Sequence, residues 1–215
     1  MFPRKRAPVP TARIPLADLL ASARRVVVRQ SRDWTEIVAF EAANRYALLD
    51  ESGALAGMAL EHKGSFLLRS FLKASRSFEM DVRDVAGGDR VLFRFHRPWR
   101  WLFSRLEVMD ESGRALGAIQ QRFAFLRRRF DVEGPDGRVL ARLTGPFWRP
   151  WTFLLQVPET DRELGRIEKK WSGAVSEIFT DADTFLVTLP QEPALRPLAL
   201  GAAILVDFKF FEDKD

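Results

Sequence analysis

Apolar and polar residues alternate along most of this chain in short runs, and small polar turns separate the runs. Phe78, Met80 and Val82 fall on one face of a pleated segment, with Glu79, Asp81 and Arg83 on the other; Val91, Phe93 and Phe95 form another such face. Asp50-Glu51-Ser52-Gly53 joins residues 46–50 to 54–61, and the same tetrapeptide at 110–113 joins 105–109 to 114–122. Gly134-Pro135-Asp136-Gly137 separates 130–133 from 138–144, and Gly87-Gly88 separates 78–84 from 90–96. Asp and Gly supply the backbone conformations that tight turns need. The pattern predicts about a dozen strands at regular spacing, which favours a closed barrel or a sandwich. The two identical turns suggest an internal repeat, on four residues only.

Two stretches break the strand pattern and predict helices. Residues 16–23 form a short, ordinary one. Residues 193–206 differ, because Pro197 suits a first helical turn and residues 198–206 are apolar all round. A helix with no polar face is buried on every side, and in an all-β protein the inside of a barrel provides that burial. Ala199, Gly201, Ala202 and Ala203 would let surrounding strands approach closely. The apolar run is far shorter than the ~20 residues that span a bilayer, and Arg196 and Asp207 bracket it.

Composition narrows the function classes. The 215 residues suit one domain with a sizeable core, and 47% are hydrophobic. The net charge of +5 favours an anionic partner, a phospholipid surface or nucleic acid. The absence of cysteine excludes disulfides, thiol nucleophiles, zinc–thiolate sites and palmitoylation, and fits a cytoplasmic protein. Residues 1–15 carry Arg4, Lys5 and Arg6 among prolines and read as a flexible basic tail, with residues 16–215 as the barrel domain.

Several motifs closely resemble the phospholipid scramblase family. Trp171-Ser172-Gly173 and Glu177-Ile178-Phe179-Thr180-Asp181-Ala182-Asp183-Thr184-Phe185 match its Trp-Ser/Thr-Gly…Phe-Thr-Asp-Ala-Asp-Asn-Phe segment. Gly201 to Glu212 look like its terminal helix and strand. Phe40-Glu41, Asn44-Arg45-Tyr46 and Arg97-Pro98 fit its opening hairpin and a mid-chain Arg-Pro motif. The likeness covers roughly residues 16–212. It implies a mainly β, tubby-like closed barrel of about twelve antiparallel strands around a buried C-terminal hydrophobic helix. It also implies transbilayer phospholipid movement, without covalent chemistry, at the inner face of the plasma membrane. The competing expectation is a non-catalytic phospholipid- or phosphoinositide-binding or adaptor module of the tubby type. An intracellular ligand-holding barrel is a third.

Where family members carry cysteine-rich loops, this chain carries aromatic–arginine loops. One contains Arg97, Trp99, Arg100, Trp101, Phe103 and Arg105; the other contains Trp148, Arg149 and Trp151. Trp prefers the bilayer interface and Arg pairs with phosphate, so these residues are expected to replace acyl anchors from one end of the barrel. Buried cap residues are the plain alternative. Weaker anionic-lipid candidates are Arg127, Arg128, Arg129, Lys169 and Lys170, with Lys63, Arg69, Lys73 and Arg76 scattered elsewhere; the solvated face of a strand is the commoner role. Asp181, Asp183 and Glu192 mark the segment where the family's calcium site has been proposed. An EF-hand-like count from Asp181 puts Phe185, Leu186, Val187 and Leu189 at ligand or glycine positions, so a hairpin turn is the better reading. His62 and His96 belong to no nucleophile or metal motif, no phosphate-binding glycine loop occurs, and no nucleic-acid motif is present.

Overall fold

The computed structural model describes residues 14–30, 45–62, 77–100, 102–125, 127–170 and 184–211. It is a closed barrel of twelve antiparallel strands with a helix along its interior. A short helix α1 (Leu16–Ser22) precedes strands β1 (Arg25–Gln30), β2 (Arg45–Leu49), β3 (Leu55–Glu61), β4 (Phe78–Asp84), β5 (Arg90–Arg97) and β6 (Arg105–Asp110). The wall continues with β7 (Ala115–Arg122), β8 (Arg127–Glu133), β9 (Val139–Pro146), β10 (Thr152–Gln156), β11 (Glu163–Lys170) and β12 (Thr184–Thr188). A single 3-10 turn (Pro193–Leu195) leads into α2 (Arg196–Phe210). Each strand pairs with its neighbour in sequence, and β12 closes on β1 with Val27 opposite Leu186.

The interior is packed solid. Phe95, Leu106, Ile119, Phe130, Leu143, Phe153, Ile167 and Phe185 point inward from eight strands and are buried with α2. A Cβ on Gly201 would lie 3.1 to 3.3 Å from Leu106, Phe95 and Ile119, so glycine sets how closely α2 approaches that wall. On the opposite side, Ala199 and Ala202 face Leu143, Leu155, Ile167 and Val187. The small residues of the all-apolar helix do what their sequence pattern predicts.

One end of the barrel is plugged by α1. Pro15 offers no capping side chain, so the first amides of α1 turn to β4: Leu16 N–H donates to Asp84 Oδ1 at 3.0 Å and Ala17 N–H to Oδ2 at 3.3 Å. Arg196, opening α2, donates to the Leu20 carbonyl. Leu16, Leu19 and Leu20 thereby join the barrel core.

Two boundaries differ from expectation. β8 begins at Arg127 rather than 130, because Arg127 to Arg129 pair with Pro146 to Thr144 of β9. The expected second helix is resolved into the 3-10 turn and α2, and it runs on to Phe210 instead of stopping at 206. Asp207 looks like a stop in the sequence, but it is buried and accepts a 2.9 Å hydrogen bond from Tyr46 Oη. A partner 161 residues away lets the helix continue across a charge.

Candidate membrane-facing rim

Because the strands form a meander, successive connections alternate between the two ends of the barrel. The β5–β6, β7–β8 and β9–β10 connections therefore share the end opposite α1. Most of the large exposed hydrophobic side chains lie there: Trp99, Leu102 and Phe103, then Phe123 and Phe125, then Phe147 and Trp148. Phe123 and Phe125 are the most exposed, at 78% and 84%. No aspartate or glutamate occurs in residues 98–104, 121–130 or 145–153, while Arg100, Arg122, Arg127, Arg128, Arg129 and Arg149 do.

The other end has the opposite chemistry. Its connections hold Asp50 and Glu51, Asp89, Asp110 and Glu111, Asp136, Glu159 and Asp161, and Glu192. They are tight turns satisfied by their own polar groups. Asp110 Oδ1 accepts from Ser112 Oγ at 2.6 Å and from the amides of Ser112 and Arg114. The Ser112 hydroxyl, outweighing slight desolvation and joined by Arg114, holds the Asp110 carboxyl at about 2. Among the described residues, the barrel thus has one apolar, cationic rim and one polar rim rich in carboxylates.

Inside the apolar mouth, three cations meet the end of α2. The Arg97 guanidinium carbon lies 4.7 Å from the Phe208 ring centroid, Arg128 lies 4.4 Å from Phe210, and Lys169 Nζ lies 4.3 Å from Phe211. Cation–π attraction and the negative end of the helix dipole both favour this arrangement. Arg128 also lies 5.8 Å from the Phe147 and Phe153 rings and donates to the Pro150 carbonyl at 3.0 Å. Burial lowers its pKa.

The side chains singled out in the sequence fall into distinct positions. Trp99, Arg100, Phe103, Trp148 and Arg149 are exposed on the rim. Arg97 is buried in the mouth and donates to Ser104 Oγ at 3.0 Å. Trp151 is half-buried and stacks on Phe211 at 5.2 Å. Arg105 lies on the outer wall, paired with Glu133 at 2.8 Å and Glu107 at 3.2 Å. Arg127 is exposed, whereas Arg129 pairs with Asp131 at 3.2 Å. Lys170 contributes its backbone to β11. Trp101, Asp181, Asp183, Lys63, Arg69, Lys73, Arg76 and the motif residues 171–183 lie outside the described residues, as do most of the basic tail and Phe40, Glu41 and Asn44. Glu192 is exposed, beyond the Thr188 end of β12. Among the described residues no group of three or more carboxylate or imidazole side chains is arranged to hold a metal ion.

Leu102, Phe123, Phe125 and Phe147 were not singled out by the sequence reading. A usable signal existed, since Phe123-Ala124-Phe125-Leu126 leads into three arginines within a run free of carboxylates. The histidines lie elsewhere: His62 faces Asp81 at 3.1 Å, and His96 faces Glu107 at 3.2 Å. Burial would raise the Glu107 carboxyl, but hydrogen bonds from His96 and Arg105 outweigh it and hold it below the ordinary value.

Residues 6–213 match the family profile described as Scramblase. A phospholipid scramblase family protein of Schizosaccharomyces pombe is 26% identical, over 92% of this chain and 61% of its own length. Phospholipid scramblase 1 of Mus musculus is 27% identical over 96% of this chain and 67% of its own. Phospholipid scramblase 2 of Homo sapiens is 25% identical over 96% and 74%. This chain therefore spans only about three-fifths to three-quarters of the length of these relatives. A solved structure from Arabidopsis thaliana aligns over 88% of this chain and 92% of its own, at 12% identity and a TM-score of 0.49.

Proposed function

The chain belongs to the scramblase family, and from that premise we propose that it acts at an anionic phospholipid surface, docking by its apolar rim and taking part in transbilayer phospholipid movement. The observation that carries this reading is the polarity of the barrel ends. Among the described residues, exposed aromatic side chains and arginines crowd three neighbouring connections that hold no carboxylate, while carboxylates crowd the turns of the far end. Aromatic rings partition into the interfacial zone, and each arginine near an anionic leaflet adds roughly 1 kcal/mol of attraction. The net charge of +5 orients the approach toward the anionic cytoplasmic leaflet of the plasma membrane. No covalent step is invoked.

A second reading has its own support. The barrel interior is filled by α2 and leaves no polar path for a headgroup, which favours a peripheral lipid-binding or adaptor module that moves no lipid. One experiment separates the two. Purified protein is co-sedimented with neutral and anionic vesicles, and a fluorescent-lipid scrambling readout follows with and without calcium. Binding with scrambling supports the first reading, and binding without scrambling the second. No binding to either vesicle refutes the first reading and the lipid-binding form of the second, and leaves an adaptor for protein partners.

A further inference from the structure

Resting on the rim-docking reading, we propose that Arg128 is a receptor for the phosphate of an anionic phospholipid headgroup, held below the aromatic wedges of the β7–β8 and β9–β10 connections. Its position on β8 differs from its neighbours'. Arg127 and Arg129 flank it on the outer face, and Arg129 is committed to Asp131. Arg128 shares the inward face with Phe130 and turns into the barrel mouth.

Several arginines of the adjoining wall are charge-neutralised, although Arg142 of β9 donates, like Arg128, to a backbone carbonyl, that of Pro158. Arg105 has Glu107 and Glu133, Arg122 has Asp131 and Glu133, and Arg166 has Glu163 and Glu168. Among the described residues, Arg128 has no carboxylate. Its one hydrogen bond goes to the Pro150 carbonyl, and its other neighbours are the rings of Phe147, Phe153 and Phe210. A half-buried guanidinium has five N–H donors in a planar fork that suits phosphate, and one hydrogen bond leaves most of them for a ligand. Burial has already lowered its pKa, so an anion beside it would restore interactions that solvent no longer supplies.

The surroundings select the source of the phosphate. Phe123, Phe125, Phe147 and Trp148 stand exposed around this position and suit the interface of a bilayer. A lipid phosphate monoester reaching Arg128 would therefore arrive with its acyl chains beside those rings. A free phosphate ester would gain nothing from them.

The test uses full-length protein and two vesicle types, phosphatidylcholine alone and phosphatidylcholine with phosphatidic acid. Arg128→Lys keeps a cation over the rings but loses the fork. It is expected to bind neutral vesicles as the unmodified protein does and to lose about tenfold in affinity for the anionic ones, the size of one charge-assisted hydrogen bond. Unchanged affinity for both vesicles overturns the proposal and leaves rim docking standing. An equal loss on both vesicles also overturns it, because Arg128 would then only shape the rim. Glycerol 3-phosphate binding as tightly as the anionic vesicles would overturn the lipid assignment. Failure of the unmodified protein to bind any vesicle would remove both readings together. As a measurement independent of folding defects, the Arg128 Nε–H resonance should shift on titration with phosphatidic acid bicelles and stay in place with phosphatidylcholine bicelles; no shift with either overturns the assignment.

Discussion

Replacing Phe123 and Phe125 together by serine isolates the contribution of the most exposed part of the rim. Their rings stand 78% and 84% exposed, so almost all of their surface is available for transfer into a membrane. Fully burying a phenylalanine side chain contributes about 1.5–3 kcal/mol, and incomplete insertion at the interface places each ring near ~2 kcal/mol. The pair then accounts for ~4 kcal/mol, or roughly three orders of magnitude in vesicle partitioning. Folding should change by less than about 0.5 kcal/mol, since exposed positions contribute little to the core. The opposite rim supplies an internal control. Val139 and Leu140 are exposed hydrophobic residues there, at 40% and 41%, and changing both to serine should leave partitioning unaltered. The assay is vesicle co-sedimentation across lipid concentration, with a thermal melt to confirm folding. The reasoning is refuted if the Phe123/Phe125 variant partitions like the parent, or if the Val139/Leu140 variant loses as much.

Three further outcomes follow from the packing and the charges. Tyr46→Phe removes the 2.9 Å hydrogen bond to buried Asp207 and should cost about 1.5–3 kcal/mol in denaturant unfolding. Gly117→Ala would drive its Cβ into the Glu133 carbonyl and within 3.1 Å of Leu198, so a loss of at least about 2 kcal/mol is expected, with a lower melting temperature. The Glu107 carboxyl is held below 4.5 in the folded chain, so it stabilises the fold above that pH, and the contribution is lost as pH falls through the folded value. Glu107→Gln should flatten the acid limb of the stability profile below pH 4.5, and an unchanged limb would count against the His96–Glu107–Arg105 cluster.

The fold was legible because its signals are local. Phe78, Met80 and Val82 announce a strand by themselves, and Asp110 to Gly113 announce a turn whose side chain satisfies its own amides. The uniformly apolar run of residues 198–206 in α2 had only the barrel interior to occupy. What the sequence hides depends on partners far along the chain. Asp207 looks like a helix stop until Tyr46 is placed beside it, and Asp84 gives no sign that it caps α1 across 68 residues. The rim was half legible for the same reason. Trp99 and Trp148 stood out by residue type, but Arg97 and Trp151, in the same stretches, are drawn inward by Phe208 and Phe211 at the end of α2. Arg128 reads as the middle of a basic triplet, and only strand alternation turns it away from Arg127 and Arg129 and into the mouth.

The walls of the barrel constrain how such a protein could move lipid. A membrane-spanning barrel is apolar outside and polar within. Here the interior is a hydrophobic core, and the outer wall from β4 to β8 carries a lattice of charge: Arg94 with Asp81, His96 with Glu107, Arg105 with Glu133, and Arg122 with Asp131. A charged residue on a lipid-facing strand costs up to about 2–4 kcal/mol at the bilayer midplane, so this wall opposes immersion. No helix among the described residues is long and apolar enough to cross a membrane. An action through the rim would therefore work by wedging aromatic rings into one leaflet, and the disturbance should grow with the number of copies on each vesicle. A transbilayer pathway built into one molecule would instead saturate at about one copy per vesicle, as each vesicle either holds a pathway or lacks one. Scrambling measured against the protein-to-lipid ratio distinguishes the two. Wedging requires a rise that continues well beyond single occupancy and disappears in the Phe123/Phe125 serine variant. Saturation at single occupancy, unaffected by that variant, would refute the rim as the element that acts on the bilayer.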